Sequence, residues 1–451
     1  MIKNTIKYIL IAAAVFTVSG CGIYGKFENR VDTDIREDAY GAGYTALQGD
    51  TLGLASLQWK EIFTDTLLQN LIEAGLENNS NLRVASLQCE EAIASLKASK
   101  LAYIPSFNAS LGGSVAGSVE HGGETWGWNL PLNASWQIDI FGSLTNAKRR
   151  AAAMVESSEA YEQAVRSQLI ATIATTYYSL VALDAQYAIY QETEHNWKES
   201  LETTKRLMDA GTYNMAAVAQ TEANYYGVKA SLVDMQTSIR ELENALCSLI
   251  GIPSGPIARA SLAEWTEPEV ISAGIPAIAL GNRPDVMQAE SAYKAAFYGT
   301  NQARSNMYPS LTITGTLNFA ELVYNAAASL LAPIFQNGQL TAQLRIAKAQ
   351  QEEAAIQFGQ AIIDAGIEVN NLMTGINGAK EKGEYYEMQQ NALETAVKST
   401  TSLMEHGSTT YLEILTAQTS LLNAQISVIA NRLDEINGII SLYQALGGGK
   451  E

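Results

Sequence analysis

Apolar residues follow a helical period over two long stretches of this chain. From Tyr161 to Met208 they recur about every 3.6 residues, as they do on one face of an α-helix. Ser143 to Asp209 contains neither proline nor glycine, so the pattern predicts one helix about 100 Å long at roughly 1.5 Å per residue. Gln339 to Glu405 predicts a second helix of equal length, although five glycines weaken it. An ordinary long hairpin or a coiled-coil spacer is the alternative.

Before each long helix the period of the pattern changes to two. Apolar residues alternate there with Asn, Ser, Gln, Asp and Thr, which predicts strands with one apolar and one polar face. In the second copy the return strand, expected near Leu330 to Phe335, is weakly patterned. A soluble sandwich would also alternate, but strands of 10 to 14 residues with terminal tryptophans favour a lipid-facing barrel with a polar lumen. The apolar set of the first copy is Phe107, Ala109, Leu111, Val115, Val119, Trp126, Trp128, Leu130, Leu132, Ala134, Trp136, Ile138 and Ile140.

The chain contains the same unit twice. Leu76-x-Asn78-x-x-Asn81-Leu82 is echoed 204 residues later by Leu280-x-Asn282-x-x-Asp285-Val286. Further on the offset becomes 196, as from Gly211 to Gly407. Each unit is expected to hold a helix, two strands and two long helices, with a Pro/Gly-rich joint starting at Gly251.

Four strands per chain cannot close a membrane barrel. Known outer-membrane barrels begin at about 8 strands, and an open edge would leave backbone groups unpaired in hydrocarbon. Subunits must therefore pool their strands. Two chains would give 8 and three would give 12, and the strand arithmetic alone leaves both open.

The first residues have the pattern of an export signal. Lys3 and Lys7 precede an apolar run from Tyr8 to Val18 that is too short to cross a bilayer comfortably. The run ends in Val18-Ser19-Gly20-Cys21, which resembles a bacterial lipoprotein box, so Cys21 is expected to carry lipid. The alternative is an ordinary signal followed by an incidental cysteine.

Charge and composition exclude several classes of function. The chain has 47 acidic and 29 basic residues, a net charge of -18, which would repel nucleic-acid phosphates. His121, His195 and His406 lie far apart without a Cys/His ligand spacing, so no metal site is expected. A phosphate loop and a nucleophile elbow are both missing, and we expect neither an enzyme nor a cofactor. Cys89 and Cys247 are expected to be packed thiols, with a disulfide between them as the alternative.

Several motifs, in order and spacing, carry a family resemblance. They include Trp59-Lys60-Glu61-Ile62-Phe63, Ile138-Asp139-Ile140-Phe141-Gly142, Asn282-Arg283-Pro284-Asp285-Val286 and Tyr411-Leu412-Glu413-Ile414-Leu415 after Gly407. Over nearly all of the mature chain they resemble the TolC-type outer-membrane factors, in the lipoprotein branch that serves resistance-nodulation-division efflux pumps. The resemblance implies a mostly α protein with a membrane β-barrel, in which a homotrimer forms a 12-stranded barrel and a long helical tunnel. Such a protein is a passive duct in the outer membrane of a Gram-negative bacterium, without catalytic residues.

The resemblance also implies roles for the helix-to-helix turns. Acidic residues after the second turn constrict the periplasmic end in that family, and the matching positions here are Glu413 and Thr416. One acidic ring is then expected, although Glu413 could equally be a solvated helix-start residue stabilised by the macrodipole. The turns would meet a periplasmic adaptor that connects to an inner-membrane transporter. The turn residues concerned are Gly211, Thr212, Tyr213, Gly407, Ser408 and Thr409.

Two other functions remain open at this point, and they differ in whether a pore exists. One is a lipid-anchored structural or adhesive coiled-coil protein without a pore, and the other is the outer-membrane duct of a peptide or protein secretion system.

The expected division of the chain is a signal peptide (1–20), a lipid-anchored extended segment (21–60), a first repeat (61–250, strands near 106–141, long helices near 143–250), a connector (251–281), a second repeat (282–447, strands near 310–337, long helices near 339–446) and a flexible glycine tail (448–451, following Gly447).

Overall fold

A computed structural model describes residues 25–29, 58–117, 124–268, 281–319, 323–334, 336–405 and 411–449. The candidate lipidation residue Cys21 and the second-turn residues Gly407, Ser408 and Thr409 lie outside the described residues. The helices are α1 Trp59–Ile62, α2 Thr66–Asn78, α3 Ser80–Leu101, α4 Ser143–Asp209, α5 Met215–Leu249, α6 Pro284–Ser305, α7 Gln339–Glu405 and α8 Tyr411–Ala445. The strands are β1 Ser106–Ala109, β2 Gly112–Gly117, β3 Glu124–Asn129, β4 Pro131–Ile138, β5 Ser310–Asn318 and β6 Val323–Leu331.

The helix boundaries repeat with the two offsets that the sequence contains. Helix α6 begins and ends 204 residues after α3. Helices α7 and α8 begin and end 196 residues after α4 and α5. The predicted long helices are confirmed at both ends, and each contains 67 residues. Among the described residues, none of the helices combines the length and the apolar character needed to cross a bilayer.

The strands form an antiparallel sheet in the order β1-β4-β5-β6, and β2 pairs with β3. The sequence predicts two strands in the first repeat, and in the structure each of these strands is divided into two. At the division Leu130 donates its backbone N–H to the side chain of Asn318 (3.4 Å) instead of a strand partner. Pro131, which follows, has no N–H to donate.

The expected return strand near Leu330 to Phe335 is wrong in its position. Strand β6 spans Val323–Leu331 and pairs with β5 over its whole length. Pro333 lies beyond its end and cannot donate to a ladder, which explains why pairing stops before it. Phe335 itself lies outside the described residues.

The chain divides into two compact units, each built from parts of both repeats. The first contains Ala85–Tyr161 and Asp285–Ala361 together with residues 25–29, and it holds all six strands. The second contains residues 58–84 and the described parts of Glu162–Pro284 and Ile362–Glu451. Its core includes the fully buried side chains of Leu68, Ile72, Ile170, Ile173, Tyr177, Leu180, Leu246, Ile362, Ile376 and Tyr443.

Two glycines end corresponding helices and pack against corresponding backbone. Gly251 (φ +72°) follows α5, and a Cβ there would lie 3.0 Å from the carbonyl oxygen of Asn78. Gly447 (φ +80°) follows α8, and a Cβ there would lie 2.7 Å from the carbonyl oxygen of Asn282. Both the left-handed conformation and the close approach require glycine.

The prediction of a flexible glycine tail is wrong for Gly447 to Gly449. All three residues are buried, and Gly449 donates its N–H to the hydroxyl of Tyr443 (2.7 Å). A Cβ on Gly448 would lie 2.3 Å from the Tyr443 ring, so only glycine fits there. The run is a packing device, because the absent side chains let backbone lie against an aromatic ring.

The segment after the first repeat is held by a partly buried cation. Arg259 donates to Glu243 (2.7 Å) and to Asp184 (2.9 Å), and Glu243 lies inside the second unit. Burial opposes ionisation of Glu243, but hydrogen bonds and charge from Arg259 outweigh burial and hold the pKa of this carboxyl below its usual value. Cys89 and Cys247 are buried thiols and not halves of a disulfide, as expected.

Candidate channel surfaces

The register of β4 and β5 places apolar residues opposite apolar residues and polar opposite polar. Leu132 pairs with Leu317 and Trp136 with Ile313. One position along, Asn133 lies opposite Thr316, whose hydroxyl donates to the Asn133 side-chain oxygen (2.9 Å). Because directly paired residues share one face of a sheet, the predicted apolar and polar faces are confirmed.

The apolar face is uncovered in a single chain. Trp126 is 70% exposed and Trp128 is 69% exposed on β3, and Phe107, Ile313 and Leu330 are exposed on the main sheet. A contiguous exposed apolar surface of this kind marks contact with lipid or with another protein. Alternation with neutral polar residues on the other face is the pattern of strands that have lipid on one side and water on the other.

Asp139 lies in the connection between β4 and the long helix α4 and caps the start of that helix. Its two carboxylate oxygens accept the backbone N–H groups of Leu144 (2.9 Å) and Thr145 (2.8 Å), and the Thr145 hydroxyl also donates to it (2.6 Å). The carboxylate therefore satisfies donors in the first helical turn and complements the macrodipole. Sequence reasoning treated Asp139 as a polar strand residue. Its position four residues before the helix start was the signal for a cap.

The first helix-to-helix turn is closed by its own backbone. Thr212 donates to the carbonyl of Leu207 (2.9 Å) and Gly211 (φ +77°) donates to that of Met208 (2.9 Å), which is a Schellman motif. Asn214 then caps α5 by accepting the N–H of Ala217 (3.0 Å). Gly211 and Thr212 are exposed. This candidate contact turn is thus short, has a defined backbone conformation and exposes its residues Gly211 and Thr212.

Glu413 and Thr416 lie three residues apart in the first turns of α8, and both are exposed. Residues at this spacing are neighbours on one helix face. The Thr416 hydroxyl donates to the carbonyl of Leu412 (2.8 Å). The structure thus brings the two candidate gate residues together on one surface, whereas their second-turn neighbours Gly407 to Thr409 lie outside the described residues.

The opposite face of this turn is fixed by packing that sequence reasoning missed. Ile414 and Leu415 are buried, and Leu415 packs with Trp197 of α4 and Val228 of α5. Tyr190 and Tyr225 border this cluster. The contact joins the start of α8 to the hairpin of the first repeat, so the candidate gate residues stand on an anchored helix. The apolar character of Ile414 and Leu415 after an acidic residue was the available signal.

Metal-binding groups are not found in the part of the chain that the structure describes. No cluster of three or more His, Cys, Asp or Glu side chains occurs among those residues. His195 is exposed and lies 3.3 Å from Glu199 on the next helical turn. His121 and His406 lie outside the described residues.

Residues 71–252 and 275–448 match the family model described as outer membrane efflux protein. The chain belongs to this family. It is 28% identical over 405 residues to the cation efflux system protein CusC of Escherichia coli O157:H7, covering 87% of this chain and 88% of CusC. It is 26% identical over 412 residues to SilC of Salmonella typhimurium, a probable outer membrane lipoprotein, covering 87% and 88%.

A solved channel has the same fold. The open state of the Neisseria gonorrhoeae MtrE outer membrane channel superposes with a TM-score of 0.81 at 25% identity, covering 95% of this chain and 98% of MtrE. The expected family and fold class are confirmed. The protein is an outer-membrane efflux channel, which decides against a poreless spacer and a secretion duct, and its relatives are transport channels rather than enzymes.

Proposed function

We propose that three copies of this chain form the passive exit duct of a tripartite efflux pump. The observation that carries the proposal is the paired register of β4 and β5, which gives the sheet one exposed apolar face and one neutral polar face. With the apolar face in lipid, the polar face lines a water-filled path. Solutes pass down this path without chemistry, and the inner-membrane pump selects them.

Closure follows from the two edges of the sheet. The order β1-β4-β5-β6 leaves β1 and β6 with unpaired backbone groups along one side each. Pairing β1 of one copy with β6 of the next satisfies both edges and repeats around a symmetry axis until the ring closes. Three copies give 12 strands, the number that family membership favours over 8.

The helical turns provide the contact with the rest of the pump. Gly211, Thr212 and Tyr213 form a defined, largely exposed turn, and their counterparts by repeat are Gly407, Ser408 and Thr409. We assign these six residues to contact with a periplasmic adaptor, which in turn engages an inner-membrane transporter. Small residues with exposed backbone can accept a partner closely without a large loss of side-chain entropy.

The closed end of the duct is assigned to a ring of Glu413. Threefold symmetry brings three copies of this carboxylate around the axis, next to the hydroxyl of Thr416. Like charges at short range repel, so the ring is tolerated only with water, cations or other donors between them. Such a ring attracts cations to the aperture and repels anions.

The membrane anchor is assigned to Cys21. The charge-then-apolar order of the first 18 residues and the small residues before Cys21 support lipidation, as does the naming of SilC as a probable lipoprotein. Several acyl chains on one cysteine would hold each subunit in the membrane before its strands close, since each buried CH₂ adds about 0.8 kcal/mol.

Native mass spectrometry of the detergent-extracted protein tests this assembly. We expect one species of three chains, each beginning at Cys21 and carrying the mass of its acyl chains, and a Cys21→Ser variant without that added mass. A dimer would overturn the 12-strand closure. A trimer of chains with an unmodified Cys21 would overturn the anchor and leave the closure standing.

A further inference from the structure

The basic residues of this acidic chain are concentrated where its helices meet its strands. Helices α3 and α6 end before strands, and α4 and α7 begin after them. The ten strand-proximal residues of each helix, 92–101, 143–152, 296–305 and 339–348, contain eight Lys or Arg in total and no Asp or Glu. We call these eight residues the basic collar. They are Lys97, Lys100, Lys148, Arg149, Arg150, Arg304, Arg345 and Lys348.

The other ends of the helices show that this concentration is local. The last ten residues of α4 and α7 and the first ten of α5 and α8 contain three Lys or Arg and five Asp or Glu. The chain as a whole has a net charge of -18. The collar therefore reverses the sign of the protein's charge within about 15 Å of the strands, at roughly 1.5 Å per helical residue.

The collar is not neutralised by neighbouring carboxylates within the described part of the chain. Lys97, Lys100, Arg150, Arg345 and Lys348 are exposed, and none of them forms an ion pair with a described residue. The acids nearest to the collar along the chain are Glu91, Glu156 and Glu352, and Glu156 pairs with Lys294 (2.9 Å) instead. Exposed cations that have no ion-pair partner among the described residues leave their charge available to another molecule.

Aromatic rings lie at the same level. Lys148 stands over the ring of Tyr103 (5.2 Å) and Arg149 over that of Tyr298 (5.8 Å). Phe141, between β4 and α4, stacks on Tyr308 (5.1 Å), between α6 and β5. Aromatic rings and basic side chains just beyond an apolar segment are the arrangement that anchors proteins at a membrane surface.

We propose that the basic collar binds the phosphate groups of anionic phospholipids, such as phosphatidylglycerol and cardiolipin, at the periplasmic surface of the outer membrane. The inference rests on the proposed function, because it requires the strands to span that membrane. An anionic surface attracts Lys and Arg within about a Debye length. Cations spread over four helix ends match a layer of headgroups better than one free phosphate, and the collar would fix the depth at which the helices leave the membrane.

Trp136 supplies an internal reporter at this level. Its indole N–H donates to the carbonyl of Tyr103 (2.9 Å), whose ring lies under Lys148. Because Trp126 and Trp128 also face lipid, both are replaced by Phe in every protein compared, including the one with an intact collar. Quenching of the remaining tryptophan fluorescence by brominated lipids then measures which lipid sits beside the collar. The full-length protein is reconstituted in phosphatidylcholine vesicles that contain a small fraction of brominated phosphatidylglycerol or, for comparison, brominated phosphatidylcholine.

We expect several-fold preference for phosphatidylglycerol at about 20 mM salt and little preference at about 1 M, where the Debye length is about 3 Å. Replacing all five exposed collar residues by Gln should abolish the preference at low salt, and the pair Lys97→Gln/Lys100→Gln alone should reduce it. The matched control Lys205→Gln/Arg206→Gln/Lys398→Gln, at the other helix ends, should retain it. About 10 mM inorganic phosphate should not displace the lipid.

A preference that survives both collar variants would overturn the proposal, and so would displacement by inorganic phosphate. Ion selectivity that changes in the collar variants while lipid preference stays would place these cations in the lumen and overturn it as well. The salt dependence of the lipid preference is measured on the protein with its collar intact, so this test does not depend on whether a collar variant folds. Lipid preference in a protein that conducts no ions would refute the proposed duct and leave the collar standing, so the two failures are distinguishable.

Discussion

Single residues determine where the helices of this protein begin and end, and which charges lie on its surface. Gly251 and Gly447 follow the ends of matching helices. Glycine is required at both positions because φ is positive and the backbone of Asn78 or Asn282 lies close to where a Cβ would be. Asp139 opens the first long helix by satisfying its N–H groups. Glu413 stands exposed on a turn whose other face is packed.

Removing the carboxylate of Glu413 tests its assignment to the gate. We expect Glu413→Ala to lower the cation preference of single channels and to weaken divalent-cation block by roughly fivefold or more, since one charge near water contributes about 1 kcal/mol at 4 Å. Thermal stability should change little because the side chain is exposed. Glu394→Ala, an exposed acid on α7, is the control. Selectivity and block equal to wild type would make Glu413 an ordinary helix-start residue.

Glu243 makes the stability of the folded protein depend on pH, and the direction of this dependence follows from its pKa. Its pKa in the folded protein lies below its ordinary value of 4.5 because pairing with Arg259 outweighs burial. The ionised carboxylate therefore adds stability above pH 4.5, and this contribution is lost as the pH falls through the lower folded-state pKa. Glu243→Gln should lower the free energy of unfolding by roughly 1.5 to 3 kcal/mol at pH 7, the contribution of hydrogen bonds to a charged group, because Asp184 stays paired to Arg259.

Loss of helical circular dichroism on heating, followed from pH 7 to pH 3, measures this effect. The gap in melting temperature between wild type and Glu243→Gln should narrow as the pH falls below 4.5. Glu241→Gln makes the same chemical change at an exposed neighbouring position and should follow the wild type. A gap that is constant with pH would mean that Glu243 acts through packing alone.

Among the elements, the helices were predictable from sequence and part of the sheet was not. The first long helix contains neither proline nor glycine, so its ends follow from where these residues resume. The second contains five glycines, and its ends follow from the 196-residue offset of the repeat. Strand β6 contains the run Ala326-Ala327-Ala328, which is nearly the same on both faces, so the pattern could not locate it. The contact of Arg259 with Asp184 joins residues 75 positions apart, and no local pattern encodes such a pairing.

The faces of β4 can be distinguished by one pair of adjacent substitutions. Leu132 lies on the apolar face and Asn133 on the polar face, at almost the same depth. Leu132→Arg should impair trimer assembly by about 2 to 4 kcal/mol, the cost of a cation on the lipid side of a barrel, and Asn133→Arg should cost much less. Trimer yield on semi-native gels after extraction measures the difference. Equal effects, or the reverse order, would mean that the face assignment is wrong.

For the whole molecule, the duplication explains how one chain supplies several similar parts. Each repeat contributes a short helix, strands and a pair of long helices with the same boundaries. Four strands leave two open edges, so a single copy cannot be the functional unit in a membrane. The candidate adaptor turns could be anticipated only through the family resemblance, because five of their six residues are glycine, serine or threonine, which lack distinctive chemistry.

Conduction by the assembled trimer tests the central claim most directly. Wild type and Glu413→Ala are reconstituted in planar bilayers, and insertion is verified by protease protection of the strands. The account predicts discrete conductance steps for both proteins, with cation preference in the wild type that Glu413→Ala reduces. Inserted trimers of both proteins that leave the bilayer current at its baseline would contradict it.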